Sequence, residues 1–71
     1  METPSTRYKF ARRVKQIRLK KGLSAQEVAN RLHMNLRNYQ RIEYKPPFLR
    51  YDTIERIAEA LEVSLHYLFR F

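Results

Sequence analysis

The segment Leu23 to Val28, Leu-Ser-Ala-Gln-Glu-Val, constrains this chain more tightly than any other. Ser24 stands at an N-cap with Glu27 three residues on, so that hydroxyl and carboxylate can each satisfy a backbone donor left unpaired at a helix start. Leu23 and Val28 flank the pair as a hydrophobic staple. A second helix start follows closely: Asn35 is a good N-cap, with Met34 and Tyr39 at its staple positions. The spacing predicts helix two from about Ala25, with Val28, Ala29 and Leu32 turned inward, then a short turn at His-Met-Asn and helix three over about Leu36 to Glu43. Ala29 is small enough to let another helix approach closely.

The flanks read as helices too. Phe10, Val14, Ile17 and Lys21 follow helical spacing from about Tyr8, the first three forming a buried stripe. That helix stops at Gly22, the only glycine, where a left-handed C-cap is needed. Lys45, Pro46 and Pro47 interrupt the pattern, so Tyr44 to Arg50 reads as a loop. Ile54, Ile57, Ala58 and Leu61 then mark the inner stripe of helix four, with Asp52 and Glu55 near its N-terminus, where the helix dipole favours acids. Ser64 caps a last short helix, with Val63 and Leu68 as its staple pair. Residues 1 to 7 contain Pro4 and no periodicity, and are expected as a flexible arm before a single domain over 8–71. The fold class expected is all-α, with five short helices.

A chain of 71 residues sits near the lower limit for a self-supporting core, which leaves little room for an elaborate catalytic pocket. It has no cysteine, hence no disulfide and no thiolate metal site. It shows no secretory pattern and no long apolar run, and reads as a soluble intracellular chain without a membrane segment. Its formal net charge is +8, and the charge is unevenly spread. Residues 1–45 hold twelve bases and three acids, whereas residues 46–71 hold three bases and four acids. A basic half joined to a neutral half points to one face for a polyanion and another for something else.

Helix three supplies such a face. Tyr39 and Ile42 point inward, while Leu36, Arg37, Gln40 and Arg41 occupy the adjoining outer face. Arg offers a planar fork that fits the O6 and N7 acceptors of guanine, Asn and Gln match adenine edges, and an exposed Leu can meet a thymine methyl. On its own this is also the pattern of an ordinary solvated helix face.

The longer run Gly-Leu-Ser-Ala-Gln-Glu-Val-Ala-Asn-Arg-Leu-His-Met-Asn-Leu-Arg-Asn-Tyr-Gln-Arg-Ile-Glu, residues 22–43, resembles the helix-turn-helix of the Cro and phage-repressor-like (Xre-type) family. The resemblance extends from about Phe10 to Leu68 and includes the family's Ala-Leu-x-Val-Ser segment as Ala60, Leu61, Val63 and Ser64. It implies a lambda-repressor-like DNA-binding domain whose helices two and three form the helix-turn-helix. Arg18 and Glu43 match a basic and an acidic position that form a salt bridge in many members. By position, Arg37 and Arg41 would be the main base readers, supported by Leu36, Asn38 and Gln40. Ser24, Gln26, Asn35, Tyr44, Lys45 and Arg50 would approach phosphates, fixing register without reading sequence. Arg7 and Lys9 would extend the basic face along the duplex, as N-terminal arms do in some relatives.

Three positions depart from the family pattern. Ala25 replaces a Gln that often reaches DNA, which puts readout at that base in doubt. His33 and Lys45 stand where Gly is frequent, and a non-glycine residue in the left-handed region costs about 1 kcal/mol, so an altered turn is expected.

Other chemistry finds little support. His33 and His66 have no ligand partner at metal-binding spacing. Ser24 and Ser64 sit at caps rather than in a nucleophile motif, and Glu43 has a better use as the partner of Arg18 than as a lone base. No cofactor and no enzymatic activity are expected. Tyr67, Phe69 and Phe71, with Phe48 and Leu49, either complete the small core or form a partner surface. The resemblance favours a homodimer at Tyr67, Phe69 and Phe71, with third helices roughly 34 Å apart on an inverted repeat of double-stranded DNA. It implies a cytoplasmic transcriptional regulator of a bacterium, phage or mobile element. The competing class is an interaction protein, above all an antitoxin that neutralises a toxin or other protein partner through the neutral C-terminal half.

Overall fold

The structure, a computed structural model, describes residues 6–71. Five helices follow in order: α1 (Thr6–Lys20), α2 (Ala25–Arg31), α3 (Leu36–Tyr44), α4 (Tyr51–Leu61) and α5 (Leu65–Leu68), with no strand among the described residues. This is the all-α architecture expected. Helix α1 begins earlier than its apolar stripe suggested, with Thr6 and Arg7 already helical. No residue after Pro4 restricts the backbone there. The rest of the expected arm, residues 1–5, lies outside the described residues.

Three of the four connections are the same device used three times. Helix α1 ends at Gly22 (φ 72°), whose N–H donates to Leu19 O (3.0 Å) while the Leu23 N–H donates to Arg18 O (3.0 Å). Helix α2 ends alike at His33 (φ 58°), with His33 N–H to Asn30 O (3.1 Å) and Met34 N–H to Ala29 O (2.9 Å). Helix α4 ends at Glu62 (φ 60°), with Glu62 N–H to Glu59 O and Val63 N–H to Ala58 O, both 3.0 Å. Each is a Schellman motif: a left-handed residue, then an apolar one packed on the core, here Leu23, Met34 and Val63. The next residue in every case is the N-cap of the following helix. Ser24 Oγ accepts from Glu27 N–H (3.0 Å), Asn35 Oδ1 from Asn38 N–H (2.8 Å), and Ser64 Oγ from Tyr67 N–H (3.1 Å). The Glu27 carboxylate completes the capping box by accepting the Ser24 N–H at 2.8 Å.

The altered turn expected at both positions is found at one of them: His33 keeps the left-handed backbone that a glycine would take, whereas Lys45 departs from it. It has φ −143°, outside the left-handed region. Lys45 precedes Pro46, and the proline ring drives the preceding residue into extended conformations.

The core is built from Phe10, Val14 and Ile17 of α1, Val28 and Ala29 of α2 with Leu32 after it, Tyr39 and Ile42 of α3, Ile57, Ala58 and Leu61 of α4, and Leu68 of α5. Burying a Val, Leu or Ile side chain fully contributes about 1.5–3 kcal/mol, so this set carries most of the stability of a small domain. Arginines stitch its rim to backbone carbonyls: Arg31 to Ala60 O (2.7 Å), Arg13 to Tyr67 O (2.9 and 3.3 Å), and Arg56 to Leu32 O. Part of the basic surplus therefore belongs to the fold itself. No described helix is long and apolar enough to cross a membrane.

Candidate nucleic-acid interface

Helix α3 exists because Asn35 caps it and because Tyr39, Ile42 and Glu43 give it one buried face. Glu43, the one acid of this helix, is turned inward and only 6% exposed. The Arg18 guanidinium grips it with both arms, Nε to Oε2 at 2.7 Å and Nη2 to Oε1 at 3.1 Å. The third guanidinium nitrogen, Nη1, donates to Leu23 O (3.0 Å), one residue before the cap of α2. The Tyr39 hydroxyl donates to Glu43 Oε2. Within the described residues no buried side-chain polar atom is left unpaired. One cation thus fixes α1, the entry to α2 and the inner face of α3 together.

Ionisation follows from these contacts. The hydrogen bond to Glu43 raises the Arg18 pKa against the opposing effect of burial, so the guanidinium stays charged. Burial, then the bond to Glu43, pushes the Tyr39 phenol well above its ordinary range, so it remains a donor. Because Glu43 is spent inside, the solvent face of α3 carries no negative charge.

On that solvent face Arg37, Asn38, Gln40 and Arg41 are exposed, while Leu36 is half-buried and less outward than its register suggested. Around it lie exposed Ser24, Gln26, Asn35, Tyr44, Lys45 and Arg50. Several are already engaged. The Gln26 amide donates to Asn30 Oδ1 (2.9 Å), Arg50 Nε lies 3.5 Å from Asp52 Oδ1, and the Lys15 ammonium sits 5.0 Å from the centre of the Tyr44 ring. Asn35 uses its carbonyl oxygen for the cap, which leaves its NH2 as a donor. No group of three or more metal-ligating side chains occurs among the described residues.

The C-terminal aromatics are engaged to different degrees. Phe69 stacks on Phe10 (5.2 Å between centroids) and Tyr67 lies under the Arg13 guanidinium at 4.6 Å, whereas Phe71 leans on Phe69 at 6.1 Å and remains 54% exposed. The Tyr39 hydroxyl and the Arg18 bond to Leu23 O went unread in the sequence. The spacing of Tyr39 and Glu43, four apart on one helix, was the available signal.

The helix-turn-helix family model matches residues 14–68. The chain belongs to the Xre/Cro-type helix-turn-helix family. Members are DNA-binding transcriptional regulators. Among solved structures, this helix-turn-helix protein resembles the hypothetical transcription factor NHTF from Neisseria, with a TM-score of 0.80 at 26% identity over 97% of this chain and 83% of that one. It shares the fold of the restriction-modification controller protein C.AhdI from Aeromonas hydrophila (TM-score 0.78, 24% identity, 86% of this chain and 92% of that one). It likewise shares the fold of the clp gene regulator ClgR from C. glutamicum (TM-score 0.87, 17% identity, 93% and 86% covered). No curated protein sequence matches it.

Proposed function

We propose that this protein is a sequence-specific transcriptional regulator that occupies a double-stranded DNA operator with α3 in the major groove. The observation that carries the reading is the acid-free outer face of α3, bearing Arg37 and Arg41, on a helix whose own glutamate is locked into the core by Arg18. A reading helix must present its side chains on a fixed backbone, and a buried bidentate pair supplies that fixity. Arg37 and Arg41 read guanine edges, with Leu36, Asn38 and Gln40 in support; Ser24, Gln26, Asn35, Tyr44, Lys45 and Arg50 hold phosphates. Two copies associate through the C-terminal aromatics, chiefly Phe71 and the exposed part of Phe69 beside Tyr67, and read an inverted repeat in the cytoplasm.

The test is a selection from random duplex DNA at near-physiological salt, followed by sequencing of the bound pool. A palindromic motif is the expected result and gives the half-site spacing directly. A pool without a motif, retained only at low salt, would mean that net charge alone accounts for binding. It would move the assignment to a protein-neutralising role of the antitoxin kind.

A further inference from the structure

The loop between α3 and α4 holds the most exposed large apolar side chain among the described residues, Phe48 at 90%. Its neighbours show that this is not a loose end. Pro46 is buried and Leu49 packs against the core, so the backbone is pinned on both sides of Phe48 and the ring is held outward. Tyr44 (64% exposed) and Tyr51 (65%) stand at the two ends of the loop. The surroundings are cationic: the Arg7 guanidinium is 5.1 Å from the Phe48 ring centre, Lys15 sits over Tyr44, and Lys45 and Arg50 belong to the loop. The acid nearby, Asp52, already faces Arg50.

The strip also begins where the reading helix ends, at Tyr44. A groove lined by Asn38 and Arg41 of α3 and by Pro47 and Leu49 of the loop brings the residues on either side of Phe48 to the border of that helix. A second copy of this strip is a poor cover for it, because like charges would meet. Duplex DNA fits both of its properties. Phosphates meet the cations, and the apolar surface of a duplex outside the stacked bases lies on the deoxyriboses and groove edges, within reach of a ring that does not enter the base stack.

We infer that Phe48 is an apolar DNA contact that packs on deoxyriboses at the edge of the minor groove flanking the bases read by α3. This rests on the reading of α3 as a DNA-binding helix. Such a contact senses groove width and deformability rather than base identity, so it confers a preference on flanking base pairs that no side chain reads directly.

The experiment measures Kd over a salt series for wild type, Phe48→Ala, Phe48→Leu and Arg41→Ala. The probes are a duplex enriched by the wild-type protein from a random pool, the same duplex with its A·T and G·C flanking pairs exchanged, and a mixed-sequence duplex. Phe48→Ala should weaken the enriched duplex by about tenfold without changing the slope of log K against log salt, since no phosphate charge is involved. Phe48→Leu should retain most of the affinity, and the flank preference should vanish with Phe48→Ala. Unaltered melting of Phe48→Ala shows that folding is intact, as a side chain this exposed requires. Unchanged affinity of Phe48→Ala on every duplex overturns the inference, and so does a loss that appears only as weaker self-association in sedimentation. If the wild type enriches no motif and Arg41→Ala binds normally, the base-reading role of α3 fails separately. The mixed-sequence duplex then decides the role of Phe48, a loss supporting it and no loss refuting it.

Discussion

The inner and outer faces of α3 are built on opposite principles. Inside, Tyr39 is fully buried, Ile42 is 2% exposed, and the Glu43 carboxylate accepts from Arg18 Nε, Arg18 Nη2 and the Tyr39 hydroxyl. Outside, Arg37, Asn38, Gln40 and Arg41 are exposed side chains on the same helical backbone. The contrast is a division within nine residues: the buried side fixes the helix, and the exposed side is left for the recognition proposed for it. Substitutions on the two faces should therefore fail in different assays.

The largest effect belongs to the inner face. Glu43→Ala leaves Arg18 buried and unpaired, which should cost about 3–5 kcal/mol. Total stability for a domain of this size is on the order of 5 kcal/mol, so the variant should be largely unfolded at 37 °C, as thermal melting by circular dichroism would show. Replacing the whole buried set, Arg18→Met with Glu43→Leu and Tyr39→Phe, removes the stranded charge together with the hydroxyl that Glu43 accepted from, and should recover much of the stability. A single variant that melts like wild type would remove the pair from its structural role.

On the outer face the cost should appear in binding instead. Arg41→Ala or Arg37→Ala should lose about 1–3 kcal/mol at the selected operator and relax base preference there, with melting unchanged. Lys45→Ala should weaken all sequences alike and reduce the salt slope by about one. Equal losses on specific and random duplexes for all three would argue against base reading by α3.

How legible each part was follows from how local its causes are. Ser24, Asn35 and Ser64 could be read as caps because the hydrogen bonds involved span three residues. Gly22 announced its turn for the same reason, whereas Glu62 adopts the same backbone without any residue-level signal, held there by the packing of Val63. The altered turn at Lys45 could be read because the following proline acts on its immediate neighbour, whereas the left-handed backbone that His33 keeps without glycine goes with the packing of Met34 on the core. Phe48 and Leu49 are adjacent apolar residues in a loop with no period, so only the folded chain shows that Leu49 packs and Phe48 does not. Arg13, Arg31 and Arg56 counted as charge in the sequence, yet each is bonded to a carbonyl distant in the chain, and a carbonyl is the same group at every position.

The corner between α2 and α3 sharpens the comparison, because it sets where the outer face points while lying on neither face. His33 occupies the left-handed region that glycine enters without steric cost. His33→Gly should raise stability by about 0.5–1 kcal/mol, the relief of the left-handed penalty less the added freedom of the unfolded chain. In melting temperature that is roughly 2–8 °C for a domain of this size. Operator affinity should stay the same, since the backbone is already in that conformation. A fall in stability would mean that the imidazole makes a contribution outweighing the strain.

The smallest effect contrasts two glutamates, one inside and one outside. Glu43 works buried and paired, whereas Glu27 works at the surface, where the Ser24 backbone N–H, and then the Ser24 side chain, hold its carboxyl below the ordinary value of 4.5. A carboxyl whose folded pKa lies below its unfolded one binds protons more readily when unfolded. Its stabilisation is therefore complete above about pH 4.5 and is lost as pH falls through the lower, folded value. Glu27→Gln keeps the acceptor but not the charge, so it isolates that ionic part of the cap. Wild type should melt slightly above Glu27→Gln at neutral pH, and the gap should close on acidification as the wild-type carboxyl becomes neutral. A gap that persists after the carboxyl has been protonated would mean that the cap works through hydrogen-bond geometry alone. The start of α2, where Ser24 and Gln26 are proposed to hold phosphates, would then be indifferent to the charge beside it.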